Sequence, residues 1–157
     1  MRSYYFDDLH VGERFESGPV LVSEPEILEF AQRFDPQPFH VDREAAAKTQ
    51  FGGLIASGFH TLSLSFALFF RLRVLEEANL GSPGMEETRW LRPLRPGDSI
   101  RIVAEVTEVR PSQSKPDRGV DKMRHDTFNQ KGELIMTVSC LHMLKRRGND
   151  QPGLRST

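Results

Sequence analysis

Cysteine is almost absent. The 157 residues hold one, Cys140, which excludes an intramolecular disulfide and any paired-cysteine zinc or redox motif. A lone thiol suits a reducing compartment, and the expected location is the cytoplasm. An excess of one charge is also lacking. The 21 Lys and Arg nearly balance the 22 Asp and Glu, giving a net charge of −1. That balance points away from nucleic acid and from anionic membranes as partners. Long apolar runs are missing too. The most apolar stretch, residues 62–70, is about half of the ~20 residues a membrane span needs. The start, Met1-Arg2-Ser3-Tyr4-Tyr5-Phe6-Asp7-Asp8, turns acidic with no apolar segment, unlike a signal peptide. No phosphate loop, GxGxxG, GxSxG or HExxH occurs, which argues against nucleotide, serine-hydrolase and zincin chemistry.

What is present fits one domain with one core. The domain is expected over residues 1–146, with a polar, Gly- and Pro-bearing tail over 147–157. Residues 23–34 read as a helix. Ser23 and Glu26 form a capping box, Pro25 suits the first turn, and Ile27, Leu28, Phe30, Ala31 and Phe34 recur at helical spacing. Pro36 stops it. One or two further turns are expected over 42–49, then a long helix over 59–78 whose first half is apolar nearly all round. Such a helix must be surrounded by protein.

After Gly84 the pattern turns to strands, over 85–91, 99–109, 120–128 and 133–145, with a turn at Pro96-Gly97-Asp98 and a hairpin at residues 129–132. Ile100, Ile102, Ala104 and Val106 share one face, as do Leu134, Met136, Val138 and Cys140. A further strand is expected over 14–22. Strands in series with helices grouped together give an α+β fold, an antiparallel sheet around one apolar helix.

Three stretches could carry chemistry. In Asp35-Pro36-Gln37-Pro38-Phe39-His40, an acid and an imidazole bracket a stiff loop, and such a pair can exchange protons with a substrate. The same residues also read as a helix stop and a turn cap. At Ser57-Gly58, a loop leads into the long helix, whose N-terminus offers free N–H groups to a developing oxyanion, though both residues are also ordinary caps. Arg89, Trp90, Arg92 and Arg95 could meet phosphate or simply face solvent. His10, His60, His125 and His142 form no metal-binding pattern, and no metal is expected. Cys140 is expected to pack in the core.

Taken together these segments resemble the MaoC-like dehydratases, the (R)-specific enoyl-CoA hydratase branch of the hotdog-fold proteins. Tyr5-Phe6-Asp7-Asp8-Leu9 with Val11-Gly12 is similar to the family's opening. Asp35-Pro36-Gln37-Pro38-Phe39-His40 is similar to its motif D-x-N-P-x-H, with Gln37 in place of the usual Asn. Ile55-Ala56-Ser57-Gly58-Phe59-His60-Thr61 resembles the segment that enters its central helix. Arg89-Trp90-Leu91-Arg92-Pro93, Pro96-Gly97-Asp98 and Asn129-Gln130-Lys131-Gly132-Glu133 fit as well.

The resemblance implies a hotdog fold, a homodimer, and an acyl-CoA thioester as substrate with no cofactor. It implies Asp35 and His40 as the catalytic pair, His40 taking a proton from water and Asp35 helping to deliver one to C2. Gly58 would be the oxyanion donor, assisted by Ser57. Arg89, Arg92 and Lys115 are candidate contacts for the coenzyme A phosphates. The fold also admits an acyl-CoA thioesterase or a non-catalytic acyl-CoA binder, because fold alone does not choose the reaction.

Overall fold

The computed structural model describes residues 2–148. Among them no helix is long and apolar enough to cross a membrane. The elements run β1 (Arg14–Glu16), β2 (Val20–Leu21), α1 (Glu24–Phe34), α2 (Pro38–Val41), α3 (Arg43–Ala47) and α4 (Gly58–Phe70). Then follow β3 (Asn79–Gly81), β4 (Met85–Trp90), β5 (Ser99–Pro111), β6 (Arg118–Asn129) and β7 (Leu134–Lys145). One antiparallel sheet is ordered β1-β5-β6-β7-β3, with β2 also pairing β5 and β4 also pairing β7. It packs around α4, and the α+β architecture read from the sequence is the one observed.

The sheet's inner face follows from strand alternation. Ile100, Ile102, Ala104 and Val106 of β5 are fully buried, as expected, together with Met123 of β6 and Met136, Val138 and Leu144 of β7. Phe69 and Leu68 of α4 pack into this surface. Cys140 is buried among them, and burial, helped by the charge of Asp121, pushes its thiol up to about 12. It is an inert core residue.

Several boundaries differ from expectation. The helix begun at Gly58 stops at Phe70 and does not continue to residue 78. Arg73 adopts a φ of 61°, which no helix accommodates. The chain then turns so that Val74, Leu75 and Ala78 drop into the core. The strand expected over 14–22 is two strands, because Gly18-Pro19 interrupts it and proline has no ladder donor. Their registers on β5 are Phe15 opposite Ala104 and Val20 opposite Ile100. A register shift pairs Phe128 with Leu134 but Thr127 with Met136. The extra residue, Ile135, is therefore buried beside Met136, while Leu134 leaves the expected face.

The tail expected over 147–157 lies outside the described residues from 149 on. Arg147 itself is part of the folded unit, since its guanidinium pairs with Asp8 at 2.7 Å.

Candidate active site

α1 delivers the acid. Ser23 caps it as read, accepting from the Glu26 N–H while the Glu26 carboxylate accepts from the Ser23 N–H. Asp35 is its C-cap, and Pro36 forbids another turn. The following segment was expected as a stiff loop. Instead, Pro38 opens a helical turn, where its missing N–H costs nothing, and His40 stands inside that turn.

His40 is nearly buried, with 4% of its surface exposed. Its Nδ1 lies 2.7 Å from the Ile55 carbonyl oxygen. A carbonyl only accepts, so Nδ1 carries the proton and Nε2 is left for chemistry. Nε2 faces Asp35 Oδ2 at 3.2 Å. The edge of the imidazole rests on Phe39, with ring centres 4.5 Å apart. The structure therefore brings the two predicted residues together.

Asp35 is held at both oxygens. The Ser57 hydroxyl donates to Oδ2 at 2.7 Å, and the Gln37 amide donates to Oδ1 at 2.7 Å. Burial alone would raise this carboxyl. The two hydrogen bonds and the nearby His40 outweigh it, so the carboxyl lies below its usual value. Asp35 is a carboxylate near neutral pH.

Ser57 is the N-cap of α4, accepting from the Phe59 N–H at 3.2 Å. Gly58 is the first helical residue, so its N–H has no intrahelical acceptor. No other acceptor takes it among the described residues. Trp90 lies against this backbone, its indole Nε1–H donating to the Gly58 carbonyl at 2.9 Å. A Cβ at Gly58 would stand 2.7 Å from Trp90 Cε2. Position 58 is thus fixed as glycine by a side chain from β4.

These groups face one cavity of about 440 Å³, lined by Asp35, Gln37, His40, Gly58, Thr61 and Trp90 together with apolar side chains. Its size suits a small-molecule site. The arrangement puts a base, an anion and a free backbone donor around one space, which can activate water beside a polarised carbonyl.

The arginine and lysine candidates divide. Arg92 lines the cavity and pairs with Glu133 at 3.0 Å. Arg89 is exposed on β4 and Lys115 lies in the loop between β5 and β6, and neither lines the cavity. Sequence reading missed the Ile55 carbonyl, a backbone group with no side-chain signal. It also missed Trp90 as the lid on Gly58, which the chain's sole tryptophan beside a proline-rich segment could have flagged.

Comparison with known proteins identifies the family and the fold. The family model described as MaoC like domain matches residues 8–127. The chain is similar to the 3-hydroxybutyryl-CoA dehydratase of Methylorubrum extorquens, 30% identical over 120 residues, covering 73% of this chain and 71% of that protein. The MaoC-like dehydratase structure from Rhodospirillum rubrum superposes with a TM-score of 0.86 at 38% identity, covering 93% of this chain and 99% of that one. The unliganded (R)-hydratase PhaJ1 of Pseudomonas aeruginosa gives 0.73 at 26% identity, covering 91% and 86%. With most of its length matched by the family model and its sheet wrapped around α4, this chain belongs to the MaoC-like domain family and has the hotdog fold.

Proposed function

We propose that the protein is a hydro-lyase that reversibly hydrates a trans-2-enoyl-CoA to an (R)-3-hydroxyacyl-CoA. The observation that carries this reading is the Asp35 Oδ2 to His40 Nε2 separation of 3.2 Å, facing the same cavity as the unpaired Gly58 N–H. The hydratase and dehydratase names of similar proteins support it.

In this reading the thioester oxygen accepts from Gly58 N–H, and one water in the cavity lies beside the pair, within hydrogen-bond reach of both His40 Nε2 and Asp35. Nε2 takes a proton from the water as its oxygen bonds to C3. The C2–C3 π pair moves toward the carbonyl, and the enolate oxygen is held at the helix N-terminus. The imidazolium then returns its proton to C2, so one water is added across one face and no cofactor is consumed. Asp35, kept ionised by Ser57 and Gln37, aims the water and stabilises the imidazolium. This routes the C2 proton through His40 and not Asp35, because a carboxyl of lowered pKa is a poor proton donor.

The functional unit of the reading is a cytoplasmic homodimer. Phe59, Trp90 and Leu91 stand 58, 48 and 52% exposed, and all three line the cavity. Beside them, among the described residues, β4 pairs only with β7, leaving a sheet edge. A second copy would cover these side chains and close the site.

The test is purified protein with crotonyl-CoA, following loss of enoyl absorbance and release of free thiol. Hydration without thiol release is expected, and thiol release without enoyl loss would select a thioesterase instead. Asp35→Asn and His40→Ala should each lower kcat at least about 100-fold, the lower end for acid–base groups. Wild-type rates in both variants would sink the assignment.

A further inference from the structure

Two loops contribute walls of the cavity. One spans residues 48–57 and contributes Phe51, Ile55 and Ala56. The other spans residues 91–98 and contributes Arg92 and Leu94. Phe51 stands close to the chemistry, because its ring centre is 5.6 Å from that of Phe39, which in turn contacts His40.

Within the first loop, residues 49–53 make few hydrogen bonds beyond their own segment. Among the described residues their hydrogen bonds run to one another and to Ala46, with a single exception. The exception is Arg95, whose Nη2 donates to the Phe51 carbonyl at 2.6 Å. Its Nη1 lies along Gly53, where a Cβ would be 3.8 Å away. The base of this side chain is rigid. Arg95 N–H donates to Asp98 Oδ2 at 2.9 Å, and Gln130 of the β6–β7 turn donates to Asp98 Oδ1 at 2.7 Å. One half-buried guanidinium therefore ties the Phe51 loop to the sheet.

We propose that Arg95 sets the length of acyl chain the cavity accepts, by pinning Phe51 as its wall and so restricting the site to short-chain acyl-CoA thioesters. This rests on reading the cavity as an acyl-CoA site. Arg95 does not line the cavity, so it is a positioning residue that acts through Phe51. With the pin in place, added methylenes meet a fixed ring and gain no burial. With the pin removed, the loop can yield, and each methylene then buried favours binding about fourfold.

The experiment measures Kd for saturated butyryl-, hexanoyl- and octanoyl-CoA, which cannot be hydrated, on wild type, Arg95→Met, Arg95→Lys and Phe51→Ala. Wild type should prefer butyryl-CoA. Arg95→Met and Phe51→Ala should each shift the octanoyl-to-butyryl Kd ratio at least tenfold toward octanoyl. Arg95→Lys keeps a donor but loses the fork, and should shift it at least threefold. A wild-type ratio in Arg95→Met overturns the proposal, as does a wild-type protein that binds none of the three. Should Arg95→Met not fold, a wild-type ratio in Arg95→Lys or in Phe51→Ala overturns it equally. Failure of wild type to hydrate crotonyl-CoA while these ratios shift would end the hydratase reading and leave the Arg95 assignment standing.

Discussion

The Ser57 hydroxyl donates to Asp35 Oδ2 at 2.7 Å while its oxygen accepts from the Phe59 N–H at 3.2 Å. One side chain therefore joins the carboxylate of the site to the helix end that carries Gly58. Capping makes Ser57 structural, and the bond to Asp35 makes it electrostatic, and the two roles separate by measurement.

Ser57→Ala should remove both. Loss of the cap costs about 1 kcal/mol of stability. Loss of a hydrogen bond that favours the carboxylate should raise the Asp35 pKa toward its ordinary value. The base in this reading is His40, so the Asp35 carboxyl has to be followed directly, by the pH dependence of its carboxyl NMR shift. That titration should move to higher pH in Ser57→Ala. A stability loss with an unmoved carboxyl titration would reduce Ser57 to a cap.

Gly58→Ala sets two forces against each other. Alanine is favoured over glycine in a helix, by about 1 kcal/mol in the interior and by less at a first position such as 58. Here the new methyl would stand 2.7 Å from Trp90 Cε2, and overpacking of that kind costs about 1–3 kcal/mol. The clash should win, and the indole should swing out, losing its bond to the Gly58 carbonyl. Trp90 is the chain's only tryptophan, so its fluorescence reads the change directly. A red-shifted emission with lowered hydration rate is expected. Unchanged emission would mean that the ring does not fix this position.

These site relations mark where sequence reading stops. The capping box at Ser23 and Glu26, the stop at Pro36 and the alternation of β5 are set within a few residues, and all were legible. The contact of Trp90 with Gly58 crosses 32 positions, and that of Arg95 with Phe51 crosses 44. No local pattern encodes either. The end of α4 was illegible for another reason. Residues 71–78 keep a helical look, yet burying Val74, Leu75 and Ala78 against the sheet outweighs continuing the helix. Asp35, His40 and Gly58 were legible as candidates. The Ile55 carbonyl that selects the His40 tautomer was not, because any residue type supplies a carbonyl.

The core itself should respond to acid. His125 is fully buried beside Phe69, 4.8 Å between ring centres, and near His142. Burial first, then the neighbouring His142, lowers its pKa to about 3. The folded protein keeps His125 neutral, whereas the unfolded chain protonates it near the ordinary value of about 6.5. Stability is thus complete above pH ~6.5 and falls as pH drops toward about 3. The slope is at most about 1.4 kcal/mol per pH unit for this one group. Urea unfolding at pH 7 and pH 5 should differ by about 2 kcal/mol from this source. His125→Phe should flatten that difference, and a variant with the full wild-type pH dependence would place the acid sensitivity elsewhere.

Oligomeric state gives the last check, because the cavity mouth and the free edge of β4 lie side by side. Phe59, from the first turn of α4, meets Trp90, from the end of β4, at 6.3 Å between ring centres, and both remain largely exposed. Two large aromatics beside an unpaired strand edge are a costly surface for a monomer. Light scattering should give twice the 17.9 kDa chain mass. Phe59→Asp should shift the protein toward monomer and lower kcat/KM, with both effects reversed in part at high protein concentration, since mass action restores the dimer. Concentration-independent activity in a protein that is monomeric throughout would show that one chain closes its own site.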